Sequence, residues 1–169
     1  AGDVLILIGE TKGHLGASLY AREILGLDGA DAGPPPPVDL ATEQKNADFV
    51  RELIERGLVN AVHDVSDGGV ACAIAEMALA SGLSATLHLD DPANDDNAGA
   101  FVSQWAQVLF GEAQGRCLVS CAAPVFSKVV STANAHAVRV TGDGSYSNSP
   151  LGEFKSEGVS RLKIYEEEF

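Results

Sequence analysis

The sequence is poor in basic residues. It contains 11 Lys and Arg residues against 24 Asp and Glu residues in a chain of 169, which gives a formal net charge of −13 at pH 7. Nucleic acids and anionic membrane surfaces are bound through basic patches, and no stretch of the sequence supplies one. The charge balance therefore argues against nucleic acid and membranes as partners.

Long apolar runs and paired cysteines are also lacking. The longest apolar run covers residues 4–8, whereas a membrane-spanning helix needs roughly 20 apolar residues. The chain has three cysteines and no C-x-x-C motif. On one strand, Cys117 and Cys121 would lie roughly 13 Å apart at about 3.3 Å per residue, which is beyond the reach of a disulfide. We therefore expect no membrane span, reduced thiols and a cytoplasmic location.

The common catalytic motifs are missing as well. The sequence has no Gly-Lys-Ser/Thr phosphate loop, no G-x-S-x-G turn, no H-E-x-x-H motif and no dinucleotide-binding fingerprint. His88 and His136 each stand alone, and the acidic stretch 90–99 lacks the spacing of an EF-hand. We predict structural roles for both histidines and a solvated acidic loop. No catalytic residue and no metal ligand is predicted.

The composition is that of a folded domain. The hydrophobic share of 46% lies near the globular average, and at this length a compact domain buries roughly 70% of the surface that its unfolded chain exposes. We predict a single domain over residues 1–169. The chain enters an apolar strand at Val4 without an initiating Met, so we expect it to be a piece of a longer polypeptide.

Hydrophobic periodicity predicts strands and helices in alternation. Strands are predicted at 4–8, 58–62, 86–89, 117–121, 137–140 and 159–165, and helices at 17–25, 40–56, 70–81, 101–109 and 126–133. Asp39 is predicted to cap the second helix and Gly57 to end it. The helix at 70–81 is apolar nearly all round, which predicts that it is buried. This alternation is typical of helices layered on a central sheet.

The segment after the second predicted strand could bind a ligand. It consists of His63, Asp64, Val65, Ser66, Asp67, Gly68 and Gly69. The glycines open a helix, so backbone N–H groups at its start can contact an anion such as a phosphate. Alternatively, Ser66 or Asp67 is the N-cap and satisfies the same N–H groups internally. Asp64 and Asp67 would also repel a phosphate unless a cation lies between them.

A divalent metal on this segment is a weaker interpretation. Imidazole and carboxylate groups of His63, Asp64 and Asp67 are suitable ligands. Neighbours on a strand face opposite ways, however. We therefore predict no metal site here.

The loop from Gly9 to Gly16 is the second candidate. Its sequence, GETKGHLG, places three glycines between a strand and a predicted helix. Lys12, Gly13 and His14 could contact a ligand anion or a carboxylate of a neighbouring domain. In the alternative interpretation the glycines only form a compact turn, and the sequence does not decide between the two.

Several of these segments together resemble a known family. In order along the chain they are GETKGHLG at 9–16 followed by SLY at 18–20, PPVDL at 36–40, HDVSDGG at 63–69 followed by AEMA at 75–78, and LFGE at 109–112. They are similar to the C-terminal part of phosphoribosylformylglycinamidine synthases (synthetase subunit), within the aminoimidazole ribonucleotide synthetase-like superfamily. The resemblance implies an α+β fold, a three-layer α/β/α C-terminal domain with a mixed central sheet.

The resemblance also implies a function for the longer protein. That function is the ATP-dependent amidation of formylglycinamide ribonucleotide in de novo purine biosynthesis, with ATP and Mg as cofactors. The implied partners are upstream domains of the same chain and a glutaminase subunit that delivers ammonia.

The family's catalytic histidines and magnesium-binding acids lie in N-terminal domains, so the resemblance places no catalytic residue in this chain. We expect the chain alone to be inactive, to hold no cofactor and to self-associate through an exposed interdomain face. Ser66, Asp67, Gly68 and Gly69 are implied to face an interdomain cleft.

Two alternatives remain open. The chain could be a stand-alone module that binds a phosphorylated ligand at the helix start of Gly68 and Gly69. It could also be the C-terminal domain of another member of the superfamily.

Overall fold

The computed structural model describes residues 2–89, 98–141 and 160–164. The strands are β1 (Asp3–Ile8), β2 (Ala61–Asp64), β3 (Ala85–Leu89), β4 (Cys117–Ala122), β5 (Val140–Thr141) and β6 (Ser160–Ile164). The α-helices are α1 (Leu40–Glu55), α2 (Gly69–Ser81), α3 (Ala98–Phe110) and α4 (Phe126–Ala135). Short helical turns occupy Tyr20–Ile24, Gly29–Ala32 and Ala123–Val125.

Four strands form the central sheet in the order β2-β4-β1-β5, and β3 pairs with β6 in a separate two-stranded sheet. β1 runs antiparallel to β4 from Asp3 opposite Ala122 to Ile8 opposite Cys117. The α+β class is confirmed. The predicted mixed sheet is wrong for the described residues, since each described pairing is antiparallel. Strand direction depends on the chain path between distant segments, which residue periodicity does not encode.

Helices cover both faces of the central sheet. Side chains alternate along β1, so Val4, Ile6 and Ile8 pack into one apolar cluster. Leu5 and Leu7 pack into another cluster on the opposite face. The first cluster includes buried residues of α1 and α4, and the second includes buried residues of α2. The layered α/β/α arrangement is therefore confirmed.

Local sequence signals fix α1. The Asp39 carboxylate accepts hydrogen bonds from Thr42 N at 3.1 Å and Thr42 Oγ1 at 2.8 Å, and these bonds lower the pKa of Asp39. The helix ends at Glu55, and Gly57 adopts φ 61° just beyond it. Both the predicted cap and the predicted stop are confirmed, because each depends only on residues within one helical turn.

Three predictions near turns are wrong. The helix predicted at 17–25 is only the π-helical turn Tyr20–Ile24, since Ala17 has φ 54° and breaks the helix start. The strand predicted at 58–62 begins at Ala61, because Leu58 N still donates to Leu53 O in the turn after α1. The strand predicted at 137–140 begins only at Val140, as β5, because Ala137 has φ 51° and interrupts the extended backbone.

The expectation that α2 is buried all round is also wrong. Its first residues, Gly69 and Val70, are buried, but the side chain of Leu79 near its end is 69% exposed. The remaining predicted strands at 86–89, 117–121 and 159–165 are confirmed by β3, β4 and β6. Most of the acidic loop 90–99 lies outside the described residues, as does the side chain of His88.

Two further observations concern the length of the described helices and the state of the cysteines. Each helix in the described ranges is either too short or too polar to form a membrane span. Cys72, Cys117 and Cys121 are free thiols. Cys121 is fully buried, and its burial raises the pKa of the thiol to about 11.

Candidate ligand or domain interface

The turn between β2 and α2 has a different cap from either predicted one. Gly68 is the N-cap residue of α2 in the left-handed region, with φ 75°, and as a glycine it supplies no side-chain cap of its own. Gly69 N donates to Ser66 O at 3.1 Å. The alternative interpretation, in which Ser66 or Asp67 is the N-cap, is therefore wrong. Gly68 and Gly69 both have positive φ. The side chains of Ser66 and Asp67 are exposed on the turn.

A carboxylate of the chain itself lies at the start of α2. Oε1 of Glu112 accepts a hydrogen bond from Gly68 N at 2.8 Å and a second from Leu19 N at 2.8 Å. The first of these N–H groups belongs to the turn where the sequence predicted contact with an external anion. Sequence reasoning quoted Glu112 within a motif but did not select it as a site residue. The one available signal was an acid directly after a glycine at the end of an apolar helix.

Backbone packing holds the same turn against the end of α3. Gly69 has φ 69°, and a Cβ built on it would lie 2.7 Å from Leu109 O, 2.7 Å from Gly111 O and 2.8 Å from Phe110 C. Next to this contact the rings of Tyr20 and Phe110 stack with centroids 5.2 Å apart. Only glycine permits this close approach of two backbones.

The loop from Gly9 to Gly16 meets the same region from the other side. His14 O accepts from Glu112 N at 3.0 Å, and Nε2 of His14 donates to Pro34 O at 2.8 Å. A Cβ on Gly13 would lie 3.0 Å from Gln107 Cβ. The structure thus brings Gly13, His14 and the Gly68–Gly69 turn together around residues 107–112.

A buried arginine, which sequence reasoning missed, binds the backbone of this region. Arg116 is 2% exposed. Its guanidinium donates to Gly111 O at 2.5 Å, to Ala113 O at 3.0 Å and to Thr11 Oγ1 at 3.3 Å. Burial lowers the pKa of the guanidinium. An arginine just before an apolar strand was the only available sequence signal.

Lys12 and His14 line a cavity of about 240 Å³ together with residues at the start of α1. Lys12 makes no hydrogen bond or ion pair with any described residue. Of the acids beside this cavity, Glu10 pairs with Arg139 at 2.8 Å and Asp39 binds Thr42, while the charge of Lys12 also helps to lower the pKa of Asp39. Among the described residues, Lys12 is therefore a cation of this loop that reaches the cavity without an ion-pair partner.

His63 lies elsewhere. It lines a largely apolar cavity of about 390 Å³ between β2, α2 and β3, and its Nε2 is 3.2 Å from Oε2 of Glu76. The Asp64 side chain is 78% exposed. Within the described ranges no three His, Cys, Asp or Glu side chains are placed to hold a metal ion. His63 thus lies apart from the cavity that holds Lys12 and His14.

His136 is engaged in the packing of α1 and α4. Its Nε2 lies 2.6 Å from Oε2 of Glu52, and its ring packs against Phe49 with centroids 5.8 Å apart. The hydrogen bond from Arg56 to Glu52, helped by the nearby His136, lowers the pKa of that carboxyl. These contacts are structural, as predicted for an isolated histidine.

The geometry of the turn predicts the effect of Asp67→Ala. An N-cap substitution costs about 0.5–2 kcal/mol, but Asp67 caps nothing, so we expect a change within about 0.5 kcal/mol. Urea denaturation followed by circular dichroism measures it. The matched control is Asp39→Ala, which removes an observed cap and should cost about 1 kcal/mol. A loss for Asp67→Ala as large as for the control would contradict the assignment of Gly68 as the N-cap.

The chain matches known proteins along most of its length. The family model described as AIR synthase related protein, C-terminal domain, matches residues 1–143. Subunit PurL of phosphoribosylformylglycinamidine synthase from Methylocella silvestris is 52% identical over 120 residues, which cover 71% of this chain and 15% of the relative. The same subunit from Bartonella tribocorum is 39% identical over 173 aligned positions, which cover 99% of this chain and 22% of the relative.

Solved structures show the same fold. Thermotoga maritima PurL complexed with FGAR superposes with a TM-score of 0.57 at 18% identity, over 96% of this chain and 32% of that one. E. coli HypE superposes with a TM-score of 0.51 at 23% identity, over 80% of this chain and 40% of that one. At these identities the likeness concerns the fold alone. The chain spans between 15% and 22% of the length of the PurL relatives named above.

Proposed function

The chain belongs to the AIR synthase related C-terminal domain family, and from this premise we propose that it works as the C-terminal domain of a phosphoribosylformylglycinamidine synthase synthetase subunit. The observation that carries the proposal is the sequence match to that subunit from several bacteria. The match to the Bartonella tribocorum subunit extends over nearly the whole chain. It therefore takes in both glycine-rich segments and the Glu112 segment.

The proposed reaction belongs to the longer protein. It is the ATP-dependent amidation of formylglycinamide ribonucleotide in purine biosynthesis, in the cytoplasm, with Mg as the metal and ammonia supplied by a glutaminase subunit. T. maritima PurL has been solved in complexes with ATP, ADP and FGAR, and as part of PurLQS. These names support nucleotide and substrate binding by a whole subunit.

The proposed role of this chain is to form a scaffold and an interdomain surface, with the predicted residues Ser66, Asp67 and Lys12 facing a ligand or a neighbouring domain. Exposed apolar side chains support such a surface. Of the nine large hydrophobic residues that are exposed in the described part of the chain, five come from positions 24–40, and they are Ile24, Leu25, Leu27, Val38 and Leu40. In the absence of a neighbouring domain, this segment favours the self-association that the sequence predicts.

The stand-alone phosphate module has less support. Its predicted contact is the N–H group of Gly68, and that group already donates to the carboxylate of Glu112. An external phosphate would have to displace a negatively charged acceptor that is part of the chain. This observation favours the domain role over the module.

A domain exchange tests the proposal. Residues 1–143 would replace the equivalent segment of a bacterial synthetase subunit, in a strain that lacks this subunit and needs added purines. We expect growth without purines, whereas the isolated chain should show no magnesium-dependent ATP turnover. The matched control carries Gly69→Ala in the same chimaera and should fail to support growth. A chimaera that accumulates as soluble protein but supports no growth would refute the proposed function.

A further inference from the structure

The segment from Leu109 to Ala113 joins two parts of the chain that are far apart in sequence. We infer that Glu112 is a positioning residue. Its carboxylate accepts hydrogen bonds at the starts of two helical segments and thereby holds the turn that begins at Leu19, just after the Gly9–Gly16 loop, against the Gly68–Gly69 turn. The inference rests on the proposed function in one respect, because the proposed function is what places a ligand or a neighbouring domain against these two segments.

One oxygen atom makes both connections. Oε1 of Glu112 accepts from Leu19 N, 93 positions away in sequence, and from Gly68 N, 44 positions away. Leu19 is the N-cap residue of the turn Tyr20–Ile24, and Gly68 is the N-cap residue of α2. The first N–H groups of a helix have no partner inside the helix and carry partial positive charge. A carboxylate is therefore the favoured acceptor at this point.

The carboxylate is held in place from its own backbone. Glu112 N donates to His14 O at 3.0 Å. On either side of Glu112, the guanidinium of Arg116 binds the carbonyl groups of Gly111 and Ala113. Hydrogen bonds of Glu112 N, Gly111 O and Ala113 O thus fix the backbone that carries the carboxylate.

No cation among the described residues forms an ion pair with Glu112. Among the described residues, the hydrogen-bond donors to its carboxylate are the backbone N–H groups of Leu19 and Gly68. The N–H group of Gly68 is not available to an external phosphate while the carboxylate is present. A ligand or partner at this surface would instead meet two segments whose relative position Glu112 has already set.

The test uses amide hydrogen exchange on the full 169-residue chain and on variants at position 112. In Glu112→Ala, we expect the Leu19 and Gly68 amides to exchange about tenfold faster or more, the loss expected for a hydrogen bond to a charged acceptor. Glu112→Gln keeps an acceptor oxygen at the same reach but loses the charge, so it should retain part of the protection at both amides. Glu112→Asp is one methylene shorter and should lose protection at one amide or both. The control is Glu55→Ala, which removes an exposed carboxylate at the end of α1.

Added formate provides a second measurement, because this small carboxylate fits the space that Glu112→Ala leaves. Formate should raise the melting temperature of Glu112→Ala, and chloride at equal ionic strength should not. It should leave the wild type and Glu55→Ala unchanged. Unchanged exchange at Leu19 and Gly68 in Glu112→Ala, or equal stabilisation of all variants by formate, would overturn the inference. Neither measurement uses enzyme activity, so its failure is distinct from the failure of the chimaera to support growth.

Discussion

Gly69→Ala is expected to lower the free energy of unfolding by about 3 kcal/mol or more, because a clash and backbone strain act together. A Cβ at this position would lie within 2.8 Å of three backbone atoms at the end of α3. Backbone atoms cannot move aside as the end of a flexible side chain can. The residue also has φ 69°, a conformation that alanine adopts only with strain. Urea denaturation gives the free energy.

Gly82→Ala is the matched control for this clash. Gly82 ends α2 with φ 63°, and a Cβ built on it would have no atom within 4 Å. This substitution adds the strain without the clash, so we expect a loss of about 1 kcal/mol. Equal losses at the two positions would show that the clash with residues 109–111 adds nothing to the cost of the substitution.

The features that the sequence predicted correctly depend on neighbouring residues. Asp39 caps α1 through Thr42, three residues away, and Gly57 adopts positive φ just after that helix. The strand at 117–121 follows from a short apolar run. In each case the structure-forming interaction lies within one turn or one strand, where a pattern in a single sequence is informative.

The candidate site was predicted only in part, because its central interactions are long-range. The sequence singled out both glycine-rich segments, and the structure places them together. It did not predict that the carboxylate of Glu112 would bind N–H groups at Leu19 and Gly68. The same limit explains the wrong N-cap. Asp67 has the right chemistry for a cap, but the left-handed conformation of Gly68 makes that glycine the N-cap residue instead.

Arg116→Met is the second substitution expected to have a large effect, with a loss of about 2–4 kcal/mol in the free energy of unfolding. Methionine keeps much of the buried side-chain volume but cannot donate hydrogen bonds. The carbonyl groups of Gly111 and Ala113 then lose the partner that the guanidinium supplies. A buried acceptor without a donor costs more than the hydrogen bond itself contributes. The measurement is again urea denaturation.

Arg116→Lys and Arg51→Met separate charge from geometry in this result. A lysine keeps the positive charge, but its single ammonium group cannot reproduce the planar fork that binds several acceptors at once, so most of the loss should remain. Arg51 is 64% exposed and pairs with Asp48 on the surface of α1, and its replacement should change stability by about 0.5 kcal/mol or less.

Because Arg116 and Glu112 fix the same backbone segment, the losses from Arg116→Met and Glu112→Ala should not be additive. Additive losses in the double variant would show that the two side chains stabilise the chain independently, and the Glu112 carboxylate would then not depend on Arg116 for its position.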